Sequence, residues 1–266
     1  MTLRVTILGC GSSGGVPRLG PIWGACDPQN PKNRRLRCSV LVEKIVTGGR
    51  TTVLVDSPAD IREQLLAVRC SHLDGVLYTH DHADHTHGID DLRMVAYAMK
   101  SRVTCHFDRP TRDSLVTRFG YCFEQQPGSE YLPILKGCEI PADGRLRIAG
   151  LNSAIDVQAI PQLHGDITSL GFRFGGIAYS PDISGLPESS IELLEGLDVW
   201  IVDALRYTRH PSHFSVKQAL QWIDRLKPKR AILTHMTSDL DYATLTAELP
   251  DGVEPAYDGM VVEVGQ

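Results

Sequence analysis

Thr79-His80-Asp81-His82-Ala83-Asp84-His85 sets His80, His82, Asp84 and His85 within six residues of one another. Imidazole mixed with carboxylate is the ligand set that Zn²⁺, Mn²⁺ and iron accept, with room left for water. Extended backbone alternates its side chains, so His80 and His82 share a face. A turn into a following helix then brings Asp84 and His85 to a second, adjacent position. Isolated loop histidines are usually only solvated, but this density at the end of an apolar strand points to metal chemistry. Three distant residues extend the set. His164, Asp182 and His235 each stand just past a strand-like run, as ligands held by a rigid sheet should, and complete two three-ligand groups around a shared carboxylate.

Other residues fit chemistry beside such ions. His213, two residues before the helix cap Ser215, is of the side-chain type suited to a general acid, with Asp203 at a strand end to orient it. Asp84 is counted with these two as catalytic as well as a ligand. Gly9-Cys10-Gly11-Ser12-Ser13-Gly14-Gly15 follows a strand and can bring backbone close to a ligand through Ser12 and Ser13. It is not a Walker loop, because no Gly-Lys-Ser/Thr closes it. Lys32, Arg34, Arg35 and Arg37 either grip phosphate oxygens, with Arg35 the chosen contact, or form a solvated basic patch.

The elements that must carry these residues are legible as strands at Leu3–Leu8, Ser39–Glu43, Thr52–Asp56 and Gly75–Thr79, rich in Val, Leu and β-branched neighbours. Further strands are expected at 102–107, 145–148, 155–160, 169–174, 176–179, 199–203, 231–234 and 260–264. Apolar spacing predicts helices over Asp60–Val68 and Ile89–Met99. Ser215-Val216-Lys217-Gln218 is a capping-box pattern opening a third helix, which Pro228 stops. The stretch 121–141 is the least regular and reads as a flap. Strand-rich halves with inserted helices predict a layered α/β fold, sheets inside and helices outside, in one domain over residues 1–266.

Composition narrows the class. The 266 residues carry a formal charge of −5 and 22% charged residues, a balance that disfavours a general polyanion binder. No apolar run is long enough for a transmembrane helix, and the N-terminus lacks the pattern of a secretory signal. Seven cysteines, an odd count without a Cys-x-x-Cys pair, read as free thiols in a reducing cytoplasm.

His80-x-His82-x-Asp84-His85 followed by His164, Asp182 and His235 resembles, in order and interval, the metallo-β-lactamase fold hydrolases, over nearly the whole chain. The resemblance implies a four-layer αββα sandwich. It also implies two divalent ions, Zn²⁺ or Mn²⁺: His80, His82 and His164 on one, Asp84, His85 and His235 on the other, Asp182 bridging, and Asp56 supporting the ligand loop. A carboxylate at Asp182 argues against antibiotic hydrolysis, since true β-lactamases usually carry cysteine there. The glycine-rich opening, Arg34-Arg35-x-x-Cys38-Ser39, His213 and Tyr257-Asp258-Gly259-Met260 are similar to the phosphodiesterase branch, closest to the phosphoribosyl cyclic phosphodiesterase type of the carbon–phosphorus lyase pathway. That subgroup often has a cysteine-rich structural zinc site where this chain has only Cys26, and one thiolate cannot hold such an ion. The resulting expectation is a cytoplasmic phosphodiesterase in which a metal-bridging hydroxide attacks a small cyclic phosphate or nucleotide-like phosphodiester. Its partners would be small molecules, not membrane or long nucleic acid, with a homodimer allowed. The alternatives are a thioester or lactone hydrolase of the glyoxalase or quorum-quenching type, and a nucleotide-binding sensor on the same scaffold.

Overall fold

The computed structural model describes residues 1–265. The chain opens with β1 (Thr2–Gly9), β2 (Ser39–Val46), β3 (Gly49–Val55), α1 (Ile61–Ala67), β4 (Gly75–Leu77) and α2 (Ala83–Thr86). It continues through α3 (Leu92–Met99), β5 (Val103–Phe107), α4 (Arg109–Phe123), β6 (Leu135–Glu139), β7 (Arg145–Gly150), β8 (Ser153–His164), β9 (Ile167–Phe174) and β10 (Ile177–Ser180). Last come α5 (Glu188–Ile191), β11 (Val199–Asp203), α6 (Val216–Leu226), β12 (Arg230–Thr234), α7 (Tyr242–Glu248), β13 (Val253–Pro255) and β14 (Val261–Gly265). Two compact units result. One holds Met1–Thr6, Ser39–Asp156 and residues 261–265; the other holds Ile7–Cys38 and Val157–Met260.

In the first unit the sheet runs β14-β1-β2-β3-β4-β5-β6. It is antiparallel at β14/β1 and β2/β3 and parallel from β3 to β6. Its central strands are buried on both faces, so Val53-Leu54-Val55 and Val76-Leu77 read as unbroken apolar runs instead of alternating ones. The helix expected over Ile89–Met99 begins as a 3₁₀ turn at Ile89–Asp91 and becomes α-helical from Leu92, turning Leu92, Val95 and Ala96 inward. The parallel pairing of β3 with β4 sets their C-terminal ends side by side, where Asp56 and His80 follow.

The second unit orders its strands β13-β12-β11-β10-β9-β8, parallel from β10 to β13 and antiparallel at β9. Trp200 is enclosed in β11 and donates its indole N–H to Ser180 Oγ at 2.9 Å. The capping box at Ser215 and Gln218 forms as expected, and α6 ends on left-handed Lys227 before Pro228.

Five elements were not anticipated, α5 (a single turn) among them. α4 shows no apolar stripe, since only Thr111, Leu115, Cys122 and Phe123 of its 15 residues are buried; its start signal is local, Asp108 accepting from Thr111 N with Pro110 in the first turn. α7, β6 and β13 are short and largely polar on one side. The irregular stretch expected at 121–141 is correspondingly smaller: its first residues close α4, and 135–139 pair in parallel with β5.

Gly88 sets the entry to the 3₁₀ turn. Its N–H reaches Ser57 O, and a Cβ there would lie 2.0 Å from Pro58 O and 2.5 Å from Ile61 Cγ2. Gly88→Ala should lower stability by roughly 1–3 kcal/mol, the usual overpacking range, read as a lower urea midpoint. Gly120→Ala, with nothing within 4 Å of the new carbon, should leave that midpoint unchanged or raise it.

Candidate metal centre

In the first unit, the ligand loop hangs on Asp56. The aspartate follows β3 in the left-handed region (φ 63°) and is fully buried. Its Oδ1 accepts Thr79 N at 2.9 Å; its Oδ2 accepts the Thr79 hydroxyl at 2.9 Å and lies 2.7 Å from His85 Nδ1. Burial pushes the Asp56 carboxyl up from its ordinary value, while His85 and the Thr79 donors pull it back. The Thr79 hydroxyl, its proton given to Asp56, sits 3.0 Å from His80 Nδ1. Both histidines therefore carry hydrogen on Nδ1 and leave Nε2 as the lone-pair nitrogen that a metal needs.

His80 stacks edge-on to His82 with ring centroids 4.5 Å apart and lies 4.4 Å from the His85 ring. His85 Nε2 is 3.7 Å from Asp84 Oδ2. The short α2 turn accounts for this: His82 is its extended N-cap residue, and Asp84 and His85 fall on the first turn. Asp81, between the two histidines, points the other way. It accepts Ser114 Oγ at 2.6 Å and Arg118 Nη2 at 3.0 Å, both from α4. Ser114 and Arg118 were missed from sequence because α4 itself was; their i, i+4 spacing behind the Asp108-x-Pro110 start was the available signal.

In the second unit the residues stand at the C-terminal ends of strands with one direction: His164 on β8, Asp182 after β10, Asp203 on β11 and His235 after β12. Asp182 is the hub. His235 Nε2 lies 3.2 Å from its Oδ1, and His164 Nε2 lies 3.6 Å from its Oδ2. His164 Nδ1 is 2.6 Å from the Ser212 carbonyl, an acceptor only, so here too Nε2 holds the lone pair. Asp182 and His235 are left-handed (φ 45° and 58°). Such conformations in non-glycine residues cost of order 1–3 kcal/mol each and gather at functional sites.

His213 sits beside this hub. Its Nδ1 is 2.8 Å from Asp203 Oδ2, its Nε2 is 3.9 Å from Asp182 Oδ2, and its ring stacks on His235 at 4.7 Å and 10°. Asp203 Oδ2 also accepts Ile183 N at 3.1 Å. The sequence pairing of His213 with Asp203 is thus a hydrogen-bonded pair.

The remaining sequence candidates divide. Ser12 is buried and its N–H goes to Met236 O, while Ser13 is exposed. Arg35 is buried: its guanidinium donates to Thr237 O at 3.0 Å and Leu240 O at 2.6 Å, and lies 3.9 Å from Cys26 Sγ. These bonds tie two loops together. The basic cluster is accordingly neither wholly a solvated patch nor, through Arg35, a free anion grip.

In donor chemistry the residues fit divalent ions. Three histidines have their tautomer fixed by a neighbour, and each unit pairs imidazole nitrogens with a carboxylate. Residues 51–236 match the β-lactamase superfamily domain. The chain belongs to that family. A diphosphatase from the PhnP family, solved by crystallography, is 32% identical, with 99% of this chain and 98% of that one covered at a TM-score of 0.87. The metallo-β-lactamase fold protein YhfI from Bacillus subtilis, 18% identical over 99% of each chain, shares the fold at a TM-score of 0.70. An octanoyltransferase of Porphyromonas gingivalis is 31% identical over a 263-residue alignment that covers 97% of this chain and 51% of the relative. The chain thus spans about half the length of that curated relative. Its fold is the metallo-β-lactamase fold anticipated from the histidine motif.

Support from Asp56 has a measurable weight. Asp56→Asn keeps the shape but must set an amide N–H₂ against either Thr79 N–H or His85 Nδ1–H. Zn²⁺ affinity measured by equilibrium dialysis should fall by about 10–100-fold, with the circular dichroism of the apoprotein preserved.

Proposed function

We propose that the chain is a dinuclear metal-dependent phosphodiesterase acting on a small cyclic phosphate or nucleotide-like phosphodiester, its two units working as one hydrolase domain over residues 1–266. His80, His82 and His164 would hold one ion, Asp84, His85 and His235 the other, with Asp182 shared. The observation that carries the reading is the His213–Asp203 pair at 2.8 Å, a positioned proton donor against the Asp182 hub. Likeness to a PhnP-family diphosphatase supports phosphorus as the centre attacked. Two divalent ions bound in such a set lower the pKa of a water nucleophile and neutralise phosphate oxygens.

The chain's own groups supply the rest. The bond from phosphorus to the departing oxygen breaks away from the nucleophile, and that oxygen takes a proton from His213 Nε2. Asp203, accepting from Nδ1, holds the ring so that Nε2 faces Asp182. Ser12 and Ser13 are proposed to contact the substrate. Arg35, with its guanidinium on two carbonyls, serves by holding the loop beside them. A net charge of −5 and seven free cysteines support a small-molecule substrate and a cytoplasmic setting. Among the described residues no helix is long and apolar enough to cross a membrane.

A second reading, cleavage of a phosphoric anhydride, is favoured by the diphosphatase likeness and uses the same groups. The octanoyltransferase name belongs to a protein about twice as long and supplies no acyl-transfer role to this chain.

With Mn²⁺ or Zn²⁺, the protein should hydrolyse bis-p-nitrophenyl phosphate, and His82→Ala should abolish turnover; S-lactoylglutathione and acyl-lactones should be poor substrates. Preference for either of the latter two would replace the phosphodiesterase reading with the thioester or lactone one. Nucleotide binding without hydrolysis of any diester would favour the sensor instead. His213→Ala should cost about 10²–10⁴-fold in kcat on diesters with an alkoxide leaving group, and far less on p-nitrophenyl esters, whose leaving group needs no proton. Equal losses on both would remove His213 from the proton-donor role.

A further inference from the structure

Three sequence motifs outside the ligand set meet in the second unit. The glycine-rich loop after β1 lies between two segments. On one side Gly11 N donates to Leu36 O at 2.8 Å; on the other, Ser12 N donates to Met236 O at 3.2 Å and Met236 N donates to Cys10 O at 2.9 Å. The loop thus works as an extra strand, bonded both to the Arg35–Arg37 segment and to the residue after His235. At position 11 a Cβ would lie 3.0 Å from Arg35 Cβ, Arg35 O and Leu36 O, so any side chain there would press the flanking segment away by a few tenths of an ångström.

Asp258, of Tyr257-Asp258-Gly259-Met260, joins the layers. Its Oδ1 accepts Cys10 N at 3.1 Å and lies 3.4 Å from Cys10 Sγ; its Oδ2 accepts Leu36 N at 2.7 Å. One carboxylate therefore ties the loop and its flanking segment through two main-chain amides. Desolvation of this enclosed carboxyl pushes its pKa up to about 7, against the pull of both amides, Cys10 and Arg35. The segment after His235 is held from its far side by the Arg35 guanidinium on Thr237 O and Leu240 O. His235 enters that clamp in the left-handed conformation, which persists only where its surroundings over-determine it.

We propose that Asp258 is a positioning residue for His235: by fixing Cys10 and Leu36 it seats the loop that grips Met236, and so sets the backbone from which His235 reaches Asp182. The inference rests on His235 being a metal ligand, as proposed above. Asn at 258 offers one acceptor oxygen and turns an N–H₂ group onto the other amide, so one of the two bonds is replaced by opposed donors.

The test is titration of the apoprotein with Co²⁺ at pH 8, where Asp258 is ionised, followed by d–d absorption. Wild type should take up two equivalents. In Asp258→Asn, one equivalent should bind at least tenfold more weakly, with an altered band shape, while circular dichroism stays native. Asp251→Asn, which removes an exposed charge from the same unit, should match wild type. If Asp258→Asn does not fold, Asp258→Glu, which keeps the charge but displaces it by one methylene, must show the same weakening. Unchanged Co²⁺ affinity and spectrum in a folded variant of either kind overturns the proposal. A wild type that binds no Co²⁺ overturns the metal reading itself, a separate failure.

Discussion

Asp56 is a carboxylate buried in the first unit, and its two oxygens serve Thr79 N, the Thr79 hydroxyl and His85 Nδ1. Removing such a charge from water is costly unless it is hydrogen-bonded or paired. The loop after β4 therefore has little freedom: it can approach β3 only with Thr79 and His85 presented together. Two ring orientations follow, because the same oxygen that receives His85 also takes the Thr79 proton and leaves that hydroxyl to face His80. A constraint on one aspartate thus fixes which nitrogen of two histidines points into the site.

The second unit reaches the same end by another route. His164, Asp182 and His235 are not gathered in one loop but stand at the ends of alternate strands, β8, β10 and β12, so the sheet itself spaces them. Asp203 on β11 plays the part of Asp56, taking His213 Nδ1 and Ile183 N on one oxygen. Asp182 and His235 leave their strands in left-handed turns. A turn of that kind swings a side chain across the sheet edge within one residue, which a regular extended exit would not do.

What the sequence revealed tracks how local each signal is. The histidine cluster is legible because four candidate ligands within six residues have few other uses, and His164, Asp182, Asp203 and His235 because strand-end positions survive small errors in strand boundaries. The capping box at Ser215 is equally self-contained. α4 escaped notice because its buried residues, Thr111, Leu115, Cys122 and Phe123, are too sparse to show a stripe. Arg35 shows a different limit. Among basic neighbours it looked like an anion grip, yet its partners are carbonyls more than 200 residues away along the chain, and no local pattern encodes a contact of that range.

The pairing of β1 with β14 has a consequence in time. Leu3 faces Val264 and Val5 faces Val262, so the first unit's edge strand waits on residues some 260 positions later. A ribosome adds about 5–20 residues per second, which leaves that edge open for on the order of ten seconds or more while the intervening segments emerge. Throughout that interval the nascent protein displays bare main-chain donors and acceptors.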